Sequence, residues 1–225
     1  MREQRLAGAS TVAIGLLLLA TALFGVHIEG ASRWIRVAGI SLQPSLILLP
    51  PAIVHFARNR GWLSSIGFAI SGIALALQPD RAMAGTLAAG LAASWLHRRE
   101  PLVAVALSAA ISGFAATMLS ADVVGPVSFV EHVVQSAFSF HGLAGLAIVA
   151  GLAAMLAPAA PALGARTRDR ELFAVFGATW VAVIAFAIVG NYPTPLVGYG
   201  SSAIIGYCLS AAALSGGSDR EVNSR

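Results

Sequence analysis

Lysine is missing from this sequence of 225 residues, cysteine occurs once, and only 11% of the residues are charged. Soluble globular domains carry about 25% charged residues, so this composition argues against a water-soluble fold. The single cysteine, Cys208, cannot form an internal disulfide or build a cysteine zinc site. All 14 basic residues are arginines, but no basic run with interleaved aromatic residues is present, and no nucleic-acid partner is expected.

Long apolar stretches fill most of the chain, in which 57% of the residues are hydrophobic. Their lengths are close to the roughly 17–25 residues with which a helix crosses a bilayer. They lie near 8–27, 41–57, 62–77, 82–96, 101–120, 132–157, 172–190 and 198–215. Because a spanning backbone must satisfy its own hydrogen bonds, stretches rich in Ala, Leu and Ile are expected to be helical. The sequence therefore predicts an all-α, polytopic transmembrane helical bundle of eight spans, as a single domain over 1–225.

The arginines alternate between the two sides of this predicted bundle. If the N-terminus is cytoplasmic, eleven arginines lie in inner segments and only Arg33, Arg36 and Arg81 lie in outer loops. This bias follows the positive-inside rule and predicts cytoplasmic N- and C-termini. The stretch from Thr11 to Leu23 is similar to a signal-peptide core, but no convincing cleavage site follows it, so a retained first helix is expected.

The outer loops collect polar residues that suit an anionic, sugar-bearing ligand. Guanidinium groups form bidentate hydrogen bonds with phosphate oxygens, and a tryptophan can lie against a sugar or a lipid. A plainer explanation is also open, because Arg33 and Arg36 can contact lipid headgroups while Trp34 belongs to the interfacial aromatic belt. Asp80 and Arg81 can likewise pair with each other. Composition and spacing do not decide between these interpretations.

Four outer motifs follow one another in an order that resembles the SEDS family (shape, elongation, division and sporulation), which includes RodA, FtsW and SpoVE. The motifs are Glu29-Gly30-Ala31-Ser32-Arg33-Trp34-Ile35, Leu42-Gln43-Pro44-Ser45-Leu46, Gln78-Pro79-Asp80-Arg81, and Pro193-Thr194-Pro195-Leu196-Val197-Gly198-Tyr199-Gly200-Ser201-Ser202. The family has Asn-Gly-Ala-Arg-Arg-Trp-Ile, Phe-Gln-Pro-Ser-Glu, Gln-Pro-Asp-Leu-Gly-Thr and a Pro-rich Ser-Tyr-Gly-Gly-Ser element at these places. The family's first two helices and most of its large outer loop have no counterpart in this shortened chain.

The resemblance implies a peptidoglycan glycosyltransferase that polymerises lipid II at the outer face of the bacterial cytoplasmic (inner) membrane, as a multi-pass protein. It would serve cell-wall synthesis in cell shape or division, beside a class B penicillin-binding protein. The family's catalytic aspartate falls at Glu131, which is one methylene longer. As a general base this carboxylate would contribute about 10²–10⁴-fold to the rate. The alternative from the residues is that Glu131 and His132 cap the following helix.

The other outer residues form the expected substrate-binding set. The outer arginines would neutralise the leaving diphosphate, with or without a bridging divalent cation whose ligands the sequence does not define. Asp80 would orient one of these arginines. The set consists of Arg33, Trp34, Arg36, Gln43, Ser45, Asp80, Arg81, Tyr199 and Ser201.

Two departures from the family pattern favour other functions. Leu46 stands where the family has Glu after Gln-Pro-Ser, and Ser139-Phe140 replaces a Glu-Glu pair. The second hypothesis is therefore a non-catalytic SEDS-like scaffold or regulator of cell-wall synthesis. A lipid-linked sugar transporter is the third, and it would need ionisable groups at mid-membrane depth, in which the predicted spans are poor.

Overall fold

A computed structural model describes residues 2–120, 125, 130–164, 169–197 and 200–215, and it is mostly helical. Within these ranges the helices are α1 (Arg2–Phe24), α2 (Pro44–Arg58), α3 (Trp62–Leu77), α4 (Arg81–His97), α5 (Pro101–Thr117), α6 (Val133–Phe140), α7 (Gly142–Ala154), α8 (Arg170–Val189) and α9 (Ser201–Ser215), with a 3₁₀ helix at Ala157–Leu163. The strands are β1 (Val26–Ile28), β2 (Ala31–Val37) and β3 (Ile40–Leu42).

Two helical segments, Gln4–Phe24 and α8, are long and apolar enough to cross a membrane. A third is available if α7 and the 3₁₀ helix, which are bent by 56° relative to each other, count as one span. These long apolar helices indicate a membrane protein. Helices α3, α5 and α9 are apolar but shorter, so the number of spans and the side on which each terminus lies stay predictions.

The sixth predicted stretch, 132–157, is not one continuous helix. His141 separates α6 from α7 with an extended backbone, at φ −163°. Its side-chain Nδ1 accepts the backbone N–H of Leu143 at 3.2 Å and so caps the start of α7. Hydropathy does not register such a break, because the residues on both sides of His141 are apolar.

The loop predicted between the first two spans is a three-stranded antiparallel sheet, in the order β1-β2-β3, so the prediction of an all-α fold is corrected here. Two-residue turns, Glu29-Gly30 and Ala38-Gly39, connect the strands. All four turn residues have positive φ, at 47°, 85°, 50° and 84° in chain order. Positive φ at both central residues is the requirement of the type I′ hairpin turn, and a glycine takes the second position in each.

The helices pack closely through small residues, as expected for helices that associate in lipid. Helix α1 packs on α3, α3 on α5, α4 on α5 and α8, and α2 on α9 and α8. A Cβ added at Gly67 would lie 2.5 Å from the Thr11 carbonyl carbon of α1. A Cβ at Gly206 would lie 2.2 Å from the carbonyl oxygen of Leu46, so α9 contacts α2 at the backbone.

The bundle has two chemically different ends. At the end that carries the sheet, here called the sheet end, Arg33 of β2 reaches the connection between α3 and α4, and Thr194 donates to the carbonyl of Val130 at 2.8 Å. At the other end, here called the Glu171 end, Glu171 at the start of α8 accepts hydrogen bonds from Arg60 and, at 2.8 Å, from Ser94. Arg98 pairs with the second oxygen of Glu171 at 3.1 Å.

Candidate functional site

Asp80 is a buried carboxylate that connects two of the predicted motifs. It precedes α4, and its Oδ1 accepts the backbone N–H of Met83 at 3.2 Å as a helix cap. Its Oδ2 accepts the Gln43 Nε2–H at 2.9 Å and the Ser45 hydroxyl at 2.8 Å. Asp80 therefore caps its helix and bonds to the start of α2, whereas the sequence suggested a pair with Arg81 or another outer arginine.

Arg33, from the first outer motif, lies next to the Asp80 segment. Its side chain is only 2% exposed, and its terminal NH2 group donates to the carbonyl oxygen of Pro79 at 2.5 Å. The guanidinium carbon lies 5.2 Å from the ring centre of Tyr192 and 5.9 Å from that of Trp34. These distances are within the range of cation–π attraction.

The fourth motif joins through the backbone of Gln43, whose N–H donates to the Ser202 hydroxyl at 2.9 Å. Segments far apart in sequence, around 33, 43, 80 and 202, thus meet at the sheet end. The sequence predicted that these motifs lie on one side of the membrane. The structure brings them into direct hydrogen-bond contact.

A cavity of about 570 Å³ lies at the sheet end, between the sheet, the segment before α6 and the start of α9. Four of the predicted site residues line it: Trp34, Gln43, Glu131 and Ser201. Its size is within the roughly 300–1,000 Å³ that is typical of small-molecule pockets. The same cavity is therefore lined by a carboxylate, an indole, an amide and a hydroxyl.

The other predicted site residues lie elsewhere. Arg33, Ser45 and Asp80 are buried and do not line the cavity. Arg36 is exposed on β2, three positions from Arg33 and hence on the opposite face of the strand. Arg81 donates to the carbonyl oxygens of Ser120 and Thr117 at 3.2 and 3.5 Å, at the end of α5.

Of Glu131 and the predicted substrate-binding residues Arg33, Asp80 and Arg81, only Glu131 lines the cavity. The two arginines instead donate to backbone carbonyls, Arg33 to one and Arg81 to two. Tyr199 lies outside the described residues. The substrate-binding roles of these residues stay predictions.

Glu131 is half-buried at the cavity wall, directly before α6. His132 occupies the N-cap position with φ 57°, but its side chain makes no capping hydrogen bond. Instead its Nε2 lies 2.8 Å from the Asn191 side-chain oxygen, which ties α6 to the end of α8. The two neighbours thus have different surroundings, with Glu131 at the cavity and His132 in a structural contact.

Glu29 is a cavity residue to which the sequence analysis gave no role. It lies in the first tight turn of the sheet and lines the same cavity as Glu131. Its Oε2 accepts the backbone N–H of Gly125 at 2.8 Å. The glycine that follows Glu29 was the available signal, because two-residue hairpin turns favour glycine at positions of positive φ. The described lining of the cavity consequently contains two carboxylates.

Within the described ranges, no group of three or more His, Cys, Asp or Glu side chains could hold a metal ion by itself. Magnesium sites of another type use one or two carboxylates together with substrate phosphates. Glu29 is a suitable donor for that second arrangement, in which the ligand completes the site.

No family model, curated protein or solved structure matches this chain. The relation to the SEDS family accordingly stays a prediction, which rests on the four sequence motifs.

Replacing Asp80 with alanine is expected to lower the free energy of unfolding by about 2–4 kcal/mol. The loss combines a helix cap, about 1 kcal/mol, with a buried donor left unsatisfied, about 1–3 kcal/mol. Ser45→Ala is the matched control, since Asp80 keeps its bond from Gln43, and about 1 kcal/mol is expected. Equilibrium unfolding in detergent measures both variants, and equal losses would contradict the central position of Asp80.

Proposed function

We propose that this chain is a SEDS-like peptidoglycan glycosyltransferase, which polymerises lipid II at the outer face of the bacterial cytoplasmic membrane. The observation that supports the proposal best is the cavity of about 570 Å³, which is lined by residues from three of the four motif segments. The polar side chains in its lining, such as Glu131 and Ser201, can hydrogen-bond to sugar hydroxyl groups, and the Trp34 indole can stack on the apolar face of a sugar ring.

The proposed chemistry uses Glu131 as the general base. The C4 hydroxyl of the acceptor sugar attacks the anomeric carbon of the donor, and a new glycosidic C–O bond forms. The bond from that carbon to undecaprenyl diphosphate breaks, and the diphosphate leaves with the electron pair. The hydroxyl proton passes to the Glu131 carboxylate, which makes the attacking oxygen more nucleophilic.

The sequence predicted that all three outer arginines neutralise the leaving diphosphate, and we propose a different assignment. Arg33 and Arg81 donate to backbone carbonyls, whereas Arg36 is exposed on β2, outside the cavity lining, and would neutralise the diphosphate from there. Glu29 would hold a divalent cation together with the ligand's phosphate oxygens, and such an ion stabilises a phosphate leaving group.

The proposed arrangement in the membrane has eight passes with both termini in the cytoplasm and the sheet end outside. The distribution of charge supports it. Arg58, Arg60, Arg98 and Arg170 all lie toward the Glu171 end, where their contacts include Leu214, Glu171 and Ala162. Basic residues on one side of a bundle are typical of the cytoplasmic side.

The test is a polymerisation assay with purified protein in proteoliposomes, supplied with labelled lipid II, with and without a class B penicillin-binding protein. We expect glycan strands that migrate as a ladder on gels. Absence of product under every divalent-metal condition, beside an active SEDS control, would reject the enzymatic proposal.

A non-catalytic scaffold of the same family is the second candidate, and one observation favours it. Leu46, which replaces the family's glutamate, lines the cavity wall, so that wall has an apolar surface where the family has an acid. A scaffold would bind the class B penicillin-binding protein without making glycan. Co-purification of that partner with an inactive chain would support this candidate over the enzyme.

A further inference from the structure

A second cavity, of about 530 Å³, lies at the Glu171 end and is separate from the candidate site. Its walls come from α8 and from the bent segment formed by the end of α7 and the 3₁₀ helix. The wall residues are almost all apolar, including Ala153, Leu156, Phe173 and Val181. Such a lining suits a hydrocarbon chain and offers little to a sugar or a nucleotide.

The shape of this groove is fixed by contacts on both sides. The hydroxyl of Tyr207 in α9 donates to the carbonyl oxygen of Met155 at 2.9 Å, which holds the end of α7. The 3₁₀ helix packs on α8, and a Cβ added at Gly177 would lie 2.9 Å from the Cβ of Ala159. These contacts between neighbouring helices therefore fix the shape of the groove.

The groove has two polar side chains in its lining, and both are basic. The Arg170 Nε–H donates to the carbonyl oxygen of Ala162 at 2.9 Å, and His97 Nδ1 lies 2.9 Å from the carbonyl oxygen of Ala93. Each side chain is thereby oriented by the backbone. Among the described residues that line the groove there is no carboxylate, so the groove combines an apolar trough with the positive charge of Arg170 at its rim.

We propose that this groove binds an anionic phospholipid, with one acyl chain along the α8 wall and the phosphate group at Arg170. The complementarity is specific to that class, because an apolar chain and a negatively charged headgroup are joined in one molecule. Guanidinium–phosphate hydrogen bonds are charge-assisted and stronger than neutral ones. The site is at the opposite end from the lipid II cavity and does not depend on its activity.

Native mass spectrometry of the full chain in detergent tests the proposal, with phosphatidylglycerol and phosphatidylethanolamine of the same acyl chains. We expect phosphatidylglycerol to bind at least about tenfold more tightly, because both headgroups contain the phosphate but only phosphatidylethanolamine has an ammonium group, which the Arg170 guanidinium repels. Arg170→Gln is expected to remove this preference. Arg99→Gln is its control, because Arg99 lies at the same end and stacks on Trp95 outside the groove, at 5.1 Å from the ring centre.

A second pair of variants tests the trough itself. Ala153→Phe fills the groove, whereas Ala154→Phe adds the same ring at the next exposed position, which does not line it. We expect only Ala153→Phe to lower retention of phosphatidylglycerol, by about tenfold or more, because the ring occupies the space of part of the acyl chain. Equal binding by Ala153→Phe and Ala154→Phe, or no headgroup preference in the unmodified protein, would overturn the proposal.

Discussion

Replacing Glu131 with glutamine is expected to lower the rate of lipid II polymerisation by about 10²–10⁴-fold, which is the usual contribution of a general base. Glutamine keeps the size of the side chain and its position in the cavity wall, but an amide does not accept the hydroxyl proton. The measurement is the initial rate of glycan formation in proteoliposomes at a saturating concentration of lipid II. Unfolding temperatures of both proteins show whether the fold is retained.

Two further glutamates are controls for this prediction. Glu100→Gln changes an acid at the Glu171 end, where the side chain is 42% exposed and 3.7 Å from Arg60, and it is expected to leave the rate unchanged. Glu29→Gln changes the other carboxylate of the cavity. If Glu29→Gln abolishes the activity while Glu131→Gln retains it, the base is Glu29 and the assignment to Glu131 is wrong.

Glu171→Ala is expected to lower the free energy of unfolding by about 3–5 kcal/mol, the typical loss when one partner of a buried ion pair is removed. The side chains of Glu171 and Arg60 are only 11% and 10% exposed. Without the carboxylate, the Arg60 charge stays buried with Glu100 as its remaining carboxylate, at 3.7 Å. Equilibrium unfolding in detergent, followed by tryptophan fluorescence, measures the change.

A control and a double variant make this test specific. Glu100→Ala removes a half-exposed acid from the same cluster, and about 0–1 kcal/mol is expected. Replacing both Arg60 and Glu171 with leucine is expected to recover much of the loss, since apolar pairs often substitute for buried ion pairs. A double variant as unstable as Glu171→Ala would show that the buried charge is not the cause.

The helices were predictable from sequence because apolar length and interrupting charges are direct signals of helices that enter a membrane. The sheet was missed, although its signal was present. Glu29-Gly30 and Ala38-Gly39 are two turn pairs that flank a run containing Trp34 and Ile35, residue types that favour strands. In a chain dominated by apolar helices, the segment was interpreted as an irregular outer loop.

The candidate site was predictable in part. The predicted spans and the distribution of arginines placed Trp34, Gln43, Glu131 and Ser201 on one side of the bundle, and all four line the cavity. The sequence could not show the direction of each side chain. Arg33 is buried because β2 turns that residue inward, and it then donates to a backbone carbonyl. Such partners are set by tertiary packing, which spacing along the chain does not encode.

Photo-crosslinking from the cavity tests the central claim most directly. A photoreactive amino acid is placed at Ser41, which is exposed and lines the cavity. The same photoreactive residue is placed separately at Ala154, toward the Glu171 end of the bundle. The account predicts that radiolabelled lipid II crosslinks at Ser41 and that unlabelled lipid II competes for this position, with only background labelling at Ala154. Equal labelling at both positions, or none at Ser41 while an active SEDS control is labelled, would contradict it.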